Sequence, residues 1–114
     1  MASRLDRDLV YSRFHSAVNM APAELEEWLD SDESRKVGFT RAGASESIGH
    51  ASGRRIVELL RKRKAELDDD DYAHMRKVAG FVARHSAQRP ENVVTSRWRY
   101  SLMNWGHDAL KEDG

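Results

Sequence analysis

The sequence contains no cysteine, only two prolines and no long apolar run. The absence of cysteine excludes disulfide scaffolds, thiol catalysis and zinc–thiolate sites. No stretch approaches the roughly 18 consecutive apolar residues that a membrane-spanning helix needs. The first residues, MASRLDRDLVYSRF, carry charges where a secretory signal needs an apolar segment. We therefore expect a soluble, cytoplasmic protein without membrane contact.

The chain also lacks net charge, because 19 basic residues balance 19 acidic ones. A globally positive field that attracts nucleic acid is thereby excluded. The charges are nevertheless segregated, since residues 35–64 carry nine lysines and arginines against two acidic residues, and residues 76–100 carry six against one. Residues 1–34 and 65–75 are net negative. The sign of each segment therefore matters more than the sum when a partner comes within the Debye length of about 8–10 Å.

Apolar residues recur at helical spacing in five segments, and no segment alternates in the manner of a strand. We predict an all-α, compact, single-domain bundle of about five helices over residues 1–114, with its core in residues 5–108. The predicted helices span approximately 5–18, 22–32, 47–64, 69–89 and 96–106. The candidate caps are Ser45 or Ser47 for the third helix, Asp68 or Asp69 for the fourth, and Thr95 or Ser96 for the fifth. The third and fourth helices are joined by a short connection, so we expect them to form a central antiparallel hairpin.

The third helix and the segment before it each depart from a regular helical pattern. No period holds from Glu33 to Ala44, which predicts one long loop. Gly49 and Gly53 lie inside the third helix, where each costs about 1 kcal/mol relative to alanine. We expect close approach of another helix to compensate for that cost.

The third helix carries the main candidate site. His50, Arg54 and Arg61 line up opposite its apolar face, and Arg55 and Lys62 form a second row. Such a helix can lay cations along a phosphate backbone. The predicted nucleic-acid-binding residues are Arg41, Arg54, Arg55, Arg61, Lys62, Arg63 and Lys64. The alternative is a solvated helix face whose cations pair with aspartates 68–71 or with the glutamates of the second helix.

The predicted function is non-catalytic, weak and largely sequence-nonspecific binding of DNA or RNA through phosphates. A helix-turn-helix is disfavoured because the 33–44 connection is too long and the fourth helix opens with four aspartates. The alternative function is a protein-interaction or self-associating structural module. Its acidic and basic segments would pair with another protein or with a second copy in a homodimer.

An enzyme is not expected, because the sequence offers neither paired carboxylates nor a nucleophile with a supporting base. The low-ranked exception is a small-ligand enzyme at the Gly38–Gly49 loop, GFTRAGASESIG, which lacks the Gly-Lys-Ser/Thr ending of a P-loop. Five histidines are present, but His74 and His85 would lie roughly 16 Å apart along one helix, too far to share an ion. We therefore expect neither a metal nor another cofactor.

The stretch SRWRYSLMNWGH, residues 96–107, interleaves arginines with aromatics. That composition is typical of a platform on which single-stranded bases stack. Trp98, Leu102 and Trp105, however, recur at i, i+4 and i+7 and so share one helix face. We predict that this face is buried and that the helix closes the bundle.

The segments FHSAVNMAPAELEEWL, GHASGRRIVELL, DDDDYAHMRKVAGFVARHSAQRP and SRWRYSLMNWGHD together resemble an uncharacterised bacterial family, the domain of unknown function 3140. The resemblance covers residues 11–108, and WRYSLMNWGHD is its most distinctive piece. It implies a short helical protein, and some members carry the label DNA-binding protein without an established site. No site residue is transferred. Ala21 and Ala109 differ from the family pattern, and both differences concern helix ends.

Overall fold

The computed structural model describes residues 4–113, and side chains for residues 6–111. Within that range all regular structure is helical, which confirms the all-α prediction, and five helices are eight residues or longer. Residues 1–3 and 114 and the Leu5 side chain, which the predicted domain and core include, lie outside the described part. The helices are α1 (Arg4–Ala17), α2 (Pro22–Leu29), α3 (Asp32–Lys36), α4 (Ile48–Arg61), α5 (Asp69–Ser86), α6 (Arg97–Asn104) and α7 (Ala109–Asp113), with a 3-10 turn at Lys64–Glu66.

The core is assembled from all five longer helices. Each contributes at least one side chain with no solvent exposure, among them Phe14, Leu25, Ile56, Met75 and Leu102. The most extensive packing is that of α1 on α5 and of α2 on α4, whereas α6 contacts α2, α3, α4 and α5. The successive helices α4 and α5 also contact each other. Helix α6 therefore lies where the two helix pairs meet.

Side-chain caps fix where three of these helices begin. Ser47 accepts a hydrogen bond from the backbone N–H of His50 at the start of α4, and Asp68 accepts one from Asp71 at the start of α5. Ser96 caps α6 in the same way. Each such cap contributes about 1 kcal/mol, because it satisfies an N–H that has no partner within the helix. Each cap is one of the two candidates predicted for its helix, and the others, Ser45, Asp69 and Thr95, do not cap.

The prediction of one loop from Glu33 to Ala44 was wrong at its beginning. The second predicted helix is two separate helices, since α2 ends at Leu29 and the short α3 covers Asp32–Lys36. Ser31 caps α3 by accepting a hydrogen bond from the N–H of Ser34 at 3.2 Å. A five-residue helix is too short to show an apolar period, so the sequence pattern could not reveal it.

The predicted end of the third helix at Lys64 was also wrong. Helix α4 ends at Arg61, and Lys62 has extended backbone angles. The chain then forms the 3-10 turn Lys64–Glu66 and buries Leu67 in the core. An early helix end is needed to bring Leu67 inward before Asp68 caps α5.

The prediction for the aromatic stretch near the C-terminus is confirmed. Leu102 and Trp105 are buried, and Trp98 is half-buried against the core. Tyr100 lies beside this face and contacts the ring of Trp28 in α2. Helix α6 is therefore a closing helix rather than an exposed stacking platform.

Candidate nucleic-acid interface

The seven residues predicted to bind phosphates are spread over α4 and its two flanks. Arg41 lies between α3 and α4; Arg54, Arg55 and Arg61 are on α4; Lys62, Arg63 and Lys64 follow its end. Six of them are exposed and one is half-buried. Whether they present net positive charge depends on the carboxylates around them.

Two of the α4 arginines face glutamates. Glu46, just before α4, accepts a hydrogen bond from Nε of Arg54 at 2.9 Å and a second from its Nη2. Arg61 pairs with Glu26 of α2. The hydrogen bond from Arg54 is the main cause that lowers the pKa of Glu46, and the hydrogen bond from Arg61 does the same to the pKa of Glu26. Both glutamates are thus ionised at neutral pH and offset these cations.

Asp71 in the first turn of α5 offsets two further cations. Its Oδ2 accepts a hydrogen bond from Nζ of Lys62 at 2.7 Å, and Nη2 of Arg55 lies 3.3 Å from its Oδ1. Burial would raise the pKa of Asp71, but the hydrogen bonds from Lys62 and from the N–H of Asp68 outweigh it and lower that pKa. The carboxylate is therefore charged, and it faces α4 as the sequence-based alternative requires.

The last two predicted cations also have carboxylate partners, whereas Arg41, the first of the seven, has none among the described residues. Nζ of Lys64 lies 3.0 Å from Asp8 of α1, and Nε of Arg63 lies 3.3 Å from Glu66. Arg41 has no ion pair with any residue that the structure describes. Six of the seven predicted residues consequently lie in ion pairs within the chain.

A different set of cations lines one groove across α4 and α5. Arg41, Lys77 and Arg84 are exposed and form no ion pair with a side chain in the described range. The groove consists of two adjoining cavities of about 410 and 360 Å³ that share Ile48 and Lys77. Sequence reasoning missed Lys77 and Arg84, although the basic surplus of residues 76–100 was the signal that could have found them.

The larger cavity, which we call the aromatic cleft, has walls from three parts of the chain. Gly38 and Phe39 lie on one side with the start of α4, and α5 forms the other side. Helix α6 supplies the remaining wall. The cleft residues on the two helices are Lys77, Phe81, Arg84, His85, Ser101 and Asn104, followed by Trp105. The cleft is therefore apolar and aromatic within and carries cations on its α5 side.

Five rings stack in a column, and three of them, Trp105, Phe81 and His85, line the cleft. Their order is His74, Trp105, Phe81, His85 and Trp98, with successive ring planes 11–20° apart and centroids separated by 4.3–6.4 Å. The indole N–H of Trp98 donates to the carbonyl of His85 at 2.6 Å. Mutual stacking and this hydrogen bond hold the rings in fixed positions. Each ring of the column is thus packed against at least one other ring.

His74, at one end of the column, is held neutral. Burial is the largest cause that lowers its pKa from 6.5 to about 4, and the positive charges of Arg55 and Lys77 contribute to the same shift. Its Nε2 and Oγ of Ser52 form a hydrogen bond of 2.9 Å. The two cations Arg55 and Lys77 therefore disfavour protonation of this ring.

Acidification from pH 6.5 to pH 4 is expected to lower the free energy of unfolding by about 2 kcal/mol through His74 alone. In this interval the unfolded chain binds a proton at His74 that the native state rejects, and below it both states are protonated. Urea unfolding across this pH range measures the effect. His74→Gln should reduce the pH dependence, and an unchanged dependence would contradict the assignment.

Two further kinds of site are not formed by the described residues. Among the side chains that the structure describes, no group of three or more histidines and carboxylates is placed to hold a metal ion. No helix within residues 4–113 has the length and apolar composition needed to cross a membrane.

Comparison with known protein families links the chain to one of them. Residues 13–103 match the model of the family described as Protein of unknown function (DUF3140). Comparisons with curated proteins and with solved structures find no match. The matched range holds most of the aromatic cleft and all of α2 to α5. Because it covers most of the sequence, the chain belongs to the DUF3140 family.

Proposed function

We propose that the protein binds nucleic acid weakly and largely without sequence preference, through phosphate contacts, and catalyses no reaction. Arg41, Lys77 and Arg84 carry the binding. The supporting observation is that these three cations line one groove and form no ion pair with a carboxylate among the described residues, while Glu46, which lines the smaller cavity, is paired with Arg54. Cations that meet only phosphates fix the position of a nucleic acid but read no bases.

The cations of α4 contribute less to this proposal. Exposed ion pairs are worth about 0–1 kcal/mol, so Arg54 and Arg61 are not locked to their glutamates. The adjacent negative charges of Glu46 and Glu26 nevertheless cancel their field at the distances from which a nucleic acid approaches. A surface of paired charges therefore attracts phosphates more weakly than the groove does.

Two double variants that each remove two positive charges test which cations bind the nucleic acid. The double variant Lys77→Ala and Arg84→Ala is expected to weaken binding of every labelled oligonucleotide at low salt. It should also reduce the slope of log affinity against log salt by about 1–2, since each phosphate contact contributes roughly 0.7–0.9. Fluorescence anisotropy over a series of salt concentrations measures both quantities.

The matched control is the double variant Arg54→Ala and Arg61→Ala, which removes the same charge from α4. It should change the slope by less than half as much. A larger loss of affinity in this control than in the groove variant would show that the phosphate-binding site is on α4. Absence of binding by the unaltered protein at low salt would refute nucleic-acid binding altogether.

The alternative, self-association through segregated charges, receives less support from the ion pairs. Arg7 of α1 pairs with Asp69 of α5, and Lys64 pairs with Asp8 of α1. The acidic and basic segments of the sequence therefore meet within one chain, which leaves less complementary charge for a second copy. Sedimentation at several concentrations would reveal a salt-sensitive dimer if this argument fails.

A further inference from the structure

The aromatic cleft has a wall whose close packing depends on glycine. A Cβ on Gly49 would lie 2.9 Å from Nε1 of Trp105, so only a glycine allows α4 to approach this indole so closely. The rings of Trp105 and Phe81 stack at 4.3 Å and form the apolar interior. The cleft volume of about 410 Å³ lies within the usual range of roughly 300–1,000 Å³ for small-molecule sites.

Phe39 lies at the edge of the aromatic cleft with its side chain largely in water. The residue is 70% exposed, the largest exposed fraction among the large apolar side chains that the structure describes. Its backbone is nevertheless anchored, because the carbonyl of Phe39 accepts a hydrogen bond from the N–H of Ile48 at 2.9 Å. An anchored backbone with an exposed ring leaves an aromatic face available to a ligand.

The polar groups of the cleft favour an anion. Lys77, Phe81 and Arg84 follow one another at i, i+4 and i+7 on one face of α5, so a cation flanks the ring on each side. The guanidinium of Arg84 folds back along this helix, with Nη1 3.0 Å from the position of a Cβ on Gly80. His85 also lines the cleft, and its buried Nε2 has no hydrogen-bond partner within the described residues.

A ligand in which a flat ring is joined to a phosphate fits both the aromatic interior and the cations of the cleft. We propose that the aromatic cleft binds one nucleoside phosphate unit, with its base against Phe39 and the wall of Phe81 and Trp105, and its phosphate at Lys77 and Arg84. The unit is either a free mononucleotide or one nucleotide of a single strand. The second case rests on the proposed function and adds a preference for single strands to it. The bases of a duplex are stacked inside and cannot enter the cleft.

Titration calorimetry of the full chain tests the cleft with defined probes. Adenosine 5′-monophosphate and uridine 5′-monophosphate should bind more tightly than ribose 5-phosphate or inorganic phosphate, because only they carry a base. Phe39→Ala should weaken binding of the mononucleotides and of a single-stranded oligonucleotide about tenfold, as loss of one stacking contact does. Binding of duplex DNA should change less than twofold.

Leu9→Ala is the matched control, because Leu9 is also exposed and apolar but lies on α1 outside the cleft. It should leave all affinities unchanged, and thermal unfolding should show that both variants fold. Mononucleotide binding that depends on Phe39, without oligonucleotide binding, would support the cleft and refute the proposed function. If oligonucleotides bind equally well as single strands and duplexes, and Phe39→Ala does not change their affinity, the proposed function stands and the cleft proposal is wrong. Equal affinity for phosphate and mononucleotides would also overturn it.

Discussion

Replacing Asn104 with leucine is expected to lower the free energy of unfolding by about 3–5 kcal/mol, because the change removes three hydrogen bonds from the interior. The Oδ1 of Asn104 accepts one from Nε1 of Trp28 at 2.8 Å and one from Oγ of Ser34. Its Nδ2 donates to the carbonyl of Ser34 at 3.0 Å. One amide thus ties α6 to both α2 and α3.

The size of the effect follows from burial. Asn104 and Ser34 have no solvent exposure, so water cannot replace the lost partners. Each buried polar group left without a partner costs about 1–3 kcal/mol, and leucine leaves the hydroxyl and carbonyl of Ser34 in that state. It also removes the partner of the indole N–H of Trp28, a half-buried residue. Leucine has a similar volume, so the loss is of hydrogen bonds rather than of packing.

Urea unfolding of three variants separates this network from a general effect of the substitution. Asn92→Leu makes the same change at an exposed position and should shift the free energy of unfolding by no more than about 0.5 kcal/mol. Ser34→Ala should cost about 1–2 kcal/mol, because Asn104 keeps its bond to Trp28. An Asn104→Leu protein within 1 kcal/mol of the unaltered chain would contradict the role of this amide.

The helices and their buried faces were predictable because both depend on local pattern. Phe14, Ile56 and Leu102 lie on stripes of helical period, and the core contains each of them. The caps Ser47 and Ser96 were recognisable for the same reason, since a cap needs only its own side chain and an N–H three residues later. Such signals require no knowledge of the tertiary structure.

Which carboxylate pairs with which basic residue was not predictable, because the partners are distant in sequence. Glu26 lies 35 residues from Arg61, and Asp8 lies 56 residues from Lys64. The sequence raised the possibility that aspartates 68–71 or the glutamates of the second helix neutralise the third helix, but only the folded chain assigns Asp71 and Glu26 to those positions. A count of charges along the sequence therefore overstates the positive field of α4.

The aromatic cleft and its neighbourhood depend on tertiary structure in the same way. Phe39, Phe81 and Trp105 come from three separate segments, and no local period relates them. Asn104 gave no signal either, because a polar residue near a helix end is usually solvated. The network in which it takes part also contains Ser34 of α3, a helix that the sequence pattern did not reveal.

The sequence correctly predicted a close approach of another helix at the glycines of α4, and this contact leads to the second large expected effect. Gly53→Ala should lower the free energy of unfolding by about 3 kcal/mol, because alanine overpacks a closed contact. A Cβ at this position would lie 2.5 Å from the carbonyl oxygen of Asn104 and 2.7 Å from Cδ2 of Leu29. The carbonyl belongs to the backbone of α6, so relief requires α4 and α6 to move apart.

Gly80→Ala is the matched control, because it introduces the same methyl group into the interior of another helix. Its Cβ would meet only the guanidinium of Arg84, at 3.0 Å, which is the far end of a flexible side chain. Alanine favours a helix over glycine by about 1 kcal/mol, so this variant should be neutral or more stable. Thermal and urea unfolding of the two variants should therefore give opposite signs. Equal effects would show that α4 and α6 can separate freely, and would remove the packing argument for a glycine at residue 53.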